Sequence, residues 1–139
     1  MCSYYTVFMT ALEKYIKELE ADVVLDELNL KEAALMLPGK KAKWVSRLII
    51  EKNNLNGMYK KRDEALKVAV AEIREESNVR LTTPTLEKAA ERHPLVSSID
   101  EEIILQKHIV DFLERVDKTM HSISFDVKNL VDLIKLETT

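Results

Sequence analysis

Residues 40–77 read KKAKWVSRLIIEKNNLNGMYKKRDEALKVAVAEIREES, with one glycine and no proline. Within it Val45, Leu48, Leu55, Tyr59, Leu66, Ala69 and Ile73 recur at steps of three, four and seven. That spacing gathers them on one stripe of a helix, the seam along which a partner helix lies. Lys52 and Arg62 fall in the same register and carry charge where the seam wants apolar bulk. As one helix the stretch would be about 57 Å long at roughly 1.5 Å per residue, too long for a small globule to cover. The expected fold is therefore all-α. Two long helices of antiparallel type, coiled-coil-like and flanked by short helices, assemble into a helical homo-oligomer.

The same stretch is basic inside an acidic chain. From Lys40 to Lys67 there are nine bases against three acids, a net of +6. Residues 1–37 carry three bases and seven acids, a net of −4, and residues 72–139 carry nine and fourteen, a net of −5. The overall charge of −3 hides this contrast. A localised basic segment points to a polyanion surface. The structural alternative is a helix face neutralised by acidic segments inside an oligomer.

Length and composition narrow the class. The 139 residues are one domain's worth, so residues 1–139 are read as a single helical domain. Two glycines and three prolines leave little material for turns, and 32% charged with 46% apolar residues is the profile of amphipathic helices. Aromatics make up 6%, which predicts a thin aliphatic core. No apolar run of about 18 residues exists, so no membrane span is expected. The start, MCSYYTVFMTALEKY, lacks the basic n-region and long apolar run of a signal peptide. Cys2 stands alone, which excludes a disulfide framework and a cysteine metal site. These features describe an intracellular, soluble, helical protein.

In chain order, a first amphipathic helix is predicted from about Thr6 to Asp22, with Phe8, Leu12, Tyr15, Ile16 and Leu19 on its apolar stripe. Asp22 to Asp26 has no helical period and reads as an extended connector docked by Val23 and Leu25. Asn29 and Glu32 have the spacing of a capping box for a short helix, and Pro38-Gly39 is expected to break it. After Ser77 the pattern lapses until Thr83-Pro84, a cap with proline at the first helical position, which opens a short helix ending before Pro94. Ser98 and Glu101 form a second capping box for a long helix from about Ser98 to Ser122. Its stripe is Ile99, Ile103, Leu105, Ile109, Phe112, Val116 and Met120. A last helix spans Asp126 to Leu136, with Val127, Leu130, Val131 and Ile134 on one face.

Catalytic chemistry is hard to find. The chain has no glycine-rich phosphate loop, no HExxH and no Cys/His cluster, so no cofactor and no metal are expected. Arg115 and His121 match the loose Arg-x5-His pattern of HEPN-type ribonucleases, with Val116 where a polar residue usually follows the Arg. Asp117 and His121 are i, i+4, but two ligands without a third make no site. The basic segment is the better candidate. Lys40, Lys41, Lys43 and Arg47 cluster around Trp44, and Lys60, Lys61 and Arg62 follow Tyr59, with Lys67 a little further on. Cations interleaved with flat rings suit single-stranded nucleic acid, whose phosphates are neutralised while bases stack. For Trp44 the competing role is a buried packing anchor.

Two blocks carry a family resemblance spanning about Glu20 to Lys135. The first is Glu20-x-Asp22-Val23-Val24-x-Asp26, then Asn29-Leu30, Pro38 and Lys43-Trp44. The second is Ile99-Asp100-x-x-Ile103, Phe112-Leu113-Glu114 and Phe125-x-Val127-Lys128-Asn129-Leu130. Together they resemble the UvsY family of phage recombination mediators. The family's basic Leu-Lys-x-Arg segment survives only as Leu66-Lys67, with Ala69 in place of the Arg. The resemblance implies a non-enzymatic protein that forms ring-like homo-oligomers larger than a dimer in the cytoplasm of an infected bacterial host. It also implies binding of single-stranded DNA and help in loading a RecA-like recombinase onto DNA coated by a single-stranded-DNA-binding protein. On that reading Lys40, Lys41, Lys43, Trp44, Arg47, Lys60, Lys61, Arg62 and Lys67 are the DNA-binding candidates. A structural or adaptor protein is the alternative, and an RNase acting through Arg115 and His121 is a third.

Overall fold

The computed structural model describes the backbone of residues 2–138 and the side chains of residues 5–138. Among the described residues four helices follow one another: α1 (Cys2–Asp22), α2 (Leu30–Glu76), α3 (Thr83–Glu91) and α4 (Pro94–Thr138). The described residues contain no strand. The expected pair of long helices with shorter companions is present. The chain divides into two compact units, one of residues 1–50 and 109–139, the other of residues 51–108. Both long helices contribute to each.

Two predicted breaks are absent, and each has a physical reason. α2 runs through Pro38 and Gly39, where the sequence predicts a stop. Proline removes one backbone donor, which frees the Ala34 carbonyl. Ala34, Pro38 and Gly39 are all exposed, so that carbonyl faces water, while buried Leu30 and Trp44 hold the helix on either side. α4 likewise starts at Pro94, four residues before the expected Ser98, and continues through Ser122–Ser124 to Thr138. Proline at the first helical position needs no donor. His93 precedes it and supplies the cap, its Nδ1 accepting the Leu95 N–H at 3.2 Å. Buried Ile123 and Val127 carry the helix across the serines.

Asn29 stands at the expected cap position, its carbonyl accepting the Ala33 N–H at 2.8 Å, but its side chain turns back into a turn centred on Asp26 instead of capping α2. Asp26 Oδ1 accepts the N–H groups of Leu28 and Asn29, each at 2.8 Å, and Asn29 Oδ1 accepts the Asp26 N–H at 2.8 Å. This local network shapes the connector that the sequence reads as extended, with Val23 and Leu25 half-buried. The cap of α3 is Thr82 rather than Thr83, one residue early, with Pro84 in the first turn.

In the unit of residues 1–50 and 109–139, α1 lays Phe8, Leu12, Tyr15 and Leu19 inward, as its period predicts, while Ile16 is exposed. Trp44 is the largest buried side chain there, 1% exposed, and Leu113, Val116, Met120, Ile123 and Val127 of α4 are buried in the same unit. In the unit of residues 51–108, Ala69, Ala90 and Val96 form a fully buried cluster that brings α2, α3 and the start of α4 together. Alanine at two of these positions lets α3 approach closely.

The seam of α2 differs from the expected one by a single residue in places. Its inward positions run Lys41, Trp44, Leu48, Glu51, Leu55, Met58, Arg62, Ala65 and Ala69, steps of three and four without a lapse. Val45 and Tyr59 are each 39% exposed, and Glu51 rather than Lys52 takes the polar place. Apolar counting favours Val45 over a tryptophan one step away. It also has no means of seeing that Glu51 finds a partner, Gln106. This glutamine is 6% exposed on α4, and its Nε2 donates to Glu51 Oε2 at 2.5 Å and to the Glu51 carbonyl at 3.1 Å.

Candidate nucleic-acid interface

The basic candidates separate into cations that hold the fold and cations that face solvent. Glu18 and Asp22 lie i, i+4 on the inner side of α1, and Lys43 and Arg47 lie i, i+4 on α2. Such spacing puts each pair on one helix face, and the two faces meet. Lys43 Nζ reaches Glu18 Oε1 at 2.9 Å and Asp22 Oδ2 at 2.5 Å, and Arg47 reaches Glu18 Oε2 at 2.6 Å. The Arg47 hydrogen bond, followed by that of Lys43, holds the Glu18 carboxyl below its ordinary range. Burial pulls Lys43 down, but its hydrogen bonds to Asp22 and Glu18 outweigh that and raise it overall.

Trp44 belongs to the same clamp. Its indole N–H donates to Asp22 Oδ2 at 2.8 Å, and Tyr15 meets its ring edge-on at 6.0 Å. The Lys43 ammonium and Arg47 guanidinium sit 5.2 and 4.9 Å from the ring centroid. A tryptophan 1% exposed is a packing anchor within the chain. Lys40 and Lys41 are half-buried and reach neutral acceptors. Lys40 Nζ donates to the Asp22 carbonyl at 3.2 Å, closing the end of a helix that has no basic residue in its last turn. Lys41 donates to the Ser124 hydroxyl. Among the described residues neither has a carboxylate partner.

In the other unit Arg62 is bound to Asp100 of α4, whose hydrogen bond raises the guanidinium pKa further. For Lys43, Arg47 and Arg62, the pairing with acidic segments expected by the structural alternative is thus what the chain itself provides. A sequence signal for it exists: an acidic i, i+4 pair on the inner stripe of one helix, opposite a basic pair on another. Lys60, Lys61 and Lys67 differ. All three are exposed on α2, and among the described residues no carboxylate pairs with them. Asn53, Asn54 and Gly57 precede them on the same outward side, and a Cβ at Gly57 would meet nothing within 4 Å. Tyr59, partly exposed, has the Lys107 ammonium 5.8 Å from its ring. This is a smooth, amide-rich and cationic helix face.

Arg115 and His121 are both exposed on α4. Six residues apart on one continuous helix, they point about 120° away from each other at 3.6 residues per turn. His121 packs edge-on against Phe125 at 5.8 Å. His121 and Asp117 share a cleft of about 470 Å3 with Lys41 and Lys118, and Arg115 does not line it. Among the described residues no three His, Cys, Asp or Glu side chains gather to hold a metal ion, and no helix is long and apolar enough to cross a membrane.

No family model matches this chain, and no curated protein does. Solved structures do. A crystal structure of the bacteriophage T4 recombination mediator protein UvsY (lattice type IV) superposes with a TM-score of 0.78 at 21% identity, covering 91% of this chain and 98% of that one. A second lattice form (type II) gives 0.77 at 19% identity over 92% and 98%, and a third (type III) gives 0.73 at 21% over the same shares. The chain has the fold of the T4 recombination mediator protein UvsY.

Proposed function

We propose that this chain is a non-enzymatic recombination mediator. It binds single-stranded DNA as a homo-oligomer and helps a RecA-like recombinase assemble on DNA coated by a single-stranded-DNA-binding protein. One observation carries the reading: a chain with the fold of a recombination mediator has three exposed lysines on its longest helix that no carboxylate pairs among the described residues. Lys60, Lys61 and Lys67 contact phosphates, and Tyr59 beside them offers a partly exposed ring for a base. Lys40 and Lys41 add positive potential in the other unit. Lys43, Trp44, Arg47 and Arg62 act indirectly, by fixing the helices.

Self-association is supported by apolar side chains left outside. Leu35, Met36 and Ile49 of α2, with Leu133 and Leu136 of α4, are each more than half exposed. Covering them with further copies removes apolar area from water at about 25 cal/mol per Å2. Each protomer then brings one lysine cluster to a shared strand, and individually weak contacts add through effective concentration. A strand held by several copies is drawn away from its coat protein, leaving the recombinase a place to nucleate.

The test is filament assembly by a RecA-like recombinase on single-stranded DNA already coated by its binding protein, followed with and without this chain. The expected result is a shorter lag, which disappears in a Lys60→Glu/Lys61→Glu variant. An unchanged lag at every concentration of the wild-type chain would overturn the proposal.

A further inference from the structure

Two of the guanidinium groups outside the basic stretch that the sequence singles out share one cleft. Arg74, in the last turn of α2, and Arg80, in the loop after it, line a cleft of about 500 Å3 together with Asn78 and Thr83. Buried Leu86 of α3 closes its inner side. Both arginines are exposed, and among the described residues neither has a carboxylate partner. No carboxylate lines the cleft among those residues either. The loop is held in shape by Ser77, whose hydroxyl donates to the Val79 carbonyl at 2.7 Å and accepts the Val79 N–H at 3.3 Å.

The cleft also stands in line with the exposed lysines. Lys60, Lys67 and Arg74 are spaced by seven residues, so they share one face of α2 with a drift of about 20° per heptad. Successive members are about 10 Å apart at 1.5 Å per residue. Glu64 interrupts this face between Lys60 and Lys67. Beyond Arg74 the helix ends, and Arg80 brings a second charge to the same cleft.

We propose that this cleft is a phosphate site, the terminal subsite of the nucleic-acid track that begins at Lys60 and Lys61. The proposal rests on the single-strand reading of that track. Two planar guanidinium groups offer forked donors that match phosphate oxygens, and the Asn78 amide and Thr83 hydroxyl add donors to the same space. Four donor side chains around one small polar cleft suit a tetrahedral oxyanion better than a carboxylate, which presents two oxygens. The phosphate is either an internal phosphodiester of a strand following α2 or the monoester at a strand end.

Fluorescence anisotropy with a labelled oligothymidine, in 5′-hydroxyl and 5′-phosphate forms, tests this on the full chain. Wild type is compared with Arg74→Ala/Arg80→Ala and with Lys60→Glu/Lys61→Glu. Thermal melting by circular dichroism shows that each variant is folded, which the exposure of all four residues favours. The arginine variant is expected to bind several-fold more weakly. Its log–log salt slope should fall by about 0.7 for the one single-strand phosphate that each engaged protomer no longer neutralises. Weaker binding of both oligonucleotides assigns an internal phosphodiester, and weakening confined to the 5′-phosphate form assigns the strand end. Unchanged binding by the arginine variant, with binding still weakened by the lysine changes, overturns the cleft and leaves the track standing. If neither pair of changes matters, both are overturned. A hexaglutamate peptide that binds wild type more tightly than the oligonucleotide, in an arginine-dependent way, would also overturn the proposal in favour of an acidic protein partner.

Discussion

Trp44 Nε1 and Lys43 Nζ converge on one carboxylate oxygen, Asp22 Oδ2, at 2.8 and 2.5 Å. The aromatic and basic pair that opens the basic stretch in the sequence is therefore spent on closing α1 over α2. The chain's one tryptophan becomes a reporter of that closure.

Asp22→Ala removes the shared acceptor and leaves a buried indole N–H without a partner. An unsatisfied buried donor costs about 1–3 kcal/mol, more where a charge is also abandoned. The variant should unfold at lower denaturant concentration, and its Trp44 emission should shift to the red before global unfolding. A denaturation midpoint equal to wild type would show that Asp22 does not hold the indole.

Acid should loosen the same clamp. Glu18 is held below the ordinary value of 4.5 by Arg47 first and Lys43 second. A depressed carboxylate contributes stability that is present above its unfolded pKa and is lost as pH falls through the folded one. The loss therefore begins below about 4.5 and deepens on further acidification. Trp44 emission followed from neutral pH down into this acidic range reads it out, and Glu18→Gln should remove part of that dependence. An identical acid limb in the variant contradicts the assignment.

How much of this is legible in the sequence depends on the range of the interaction. The helical class and the two long helices follow from the three-four period, since it repeats within each segment. Pro38 misleads because the rule against interior proline assumes a carbonyl with nowhere else to turn, and exposed Ala34 has water. The one-step shift at Trp44 and Glu51 escapes because only Gln106, 55 residues away, makes Glu51 acceptable inside. The roles of Lys43, Arg47 and Arg62 escape for the same reason, their carboxylates lying 21 to 38 residues distant. Regional net charge hides Arg74 and Arg80, which sit in an acidic flank.

Arg62 and Lys60 should part company on mutation. Arg62→Ala removes a partly exposed ion pair with Asp100 and should cost about 0.2–1 kcal/mol, the range for such pairs. Its DNA-binding salt slope should equal that of wild type. Lys60→Ala should do the reverse, leaving the melting temperature unchanged and lowering the slope. A slope that falls with Arg62 and not with Lys60 would reverse the division drawn between them.

Gly57 sits mid-helix on the lysine face with open space around it. Gly57→Ala should stabilise the chain by about 0.5–1 kcal/mol, the intrinsic difference between the two residues in a helix interior. Chemical denaturation checks it, and a lower midpoint would mean that the backbone at Gly57 is not free.

Whether Lys60, Lys61 and Lys67 form the single-strand interface is decided by the salt dependence of oligothymidine binding, with oligomer mass measured in parallel. Wild type is compared with Lys60→Glu/Lys61→Glu. The expected outcome is an unchanged mass and a smaller log–log slope. The reduction should be about 0.7 for each phosphate no longer neutralised, multiplied by the number of protomers engaged. A variant of intact mass whose affinity and slope equal those of wild type would contradict the assignment.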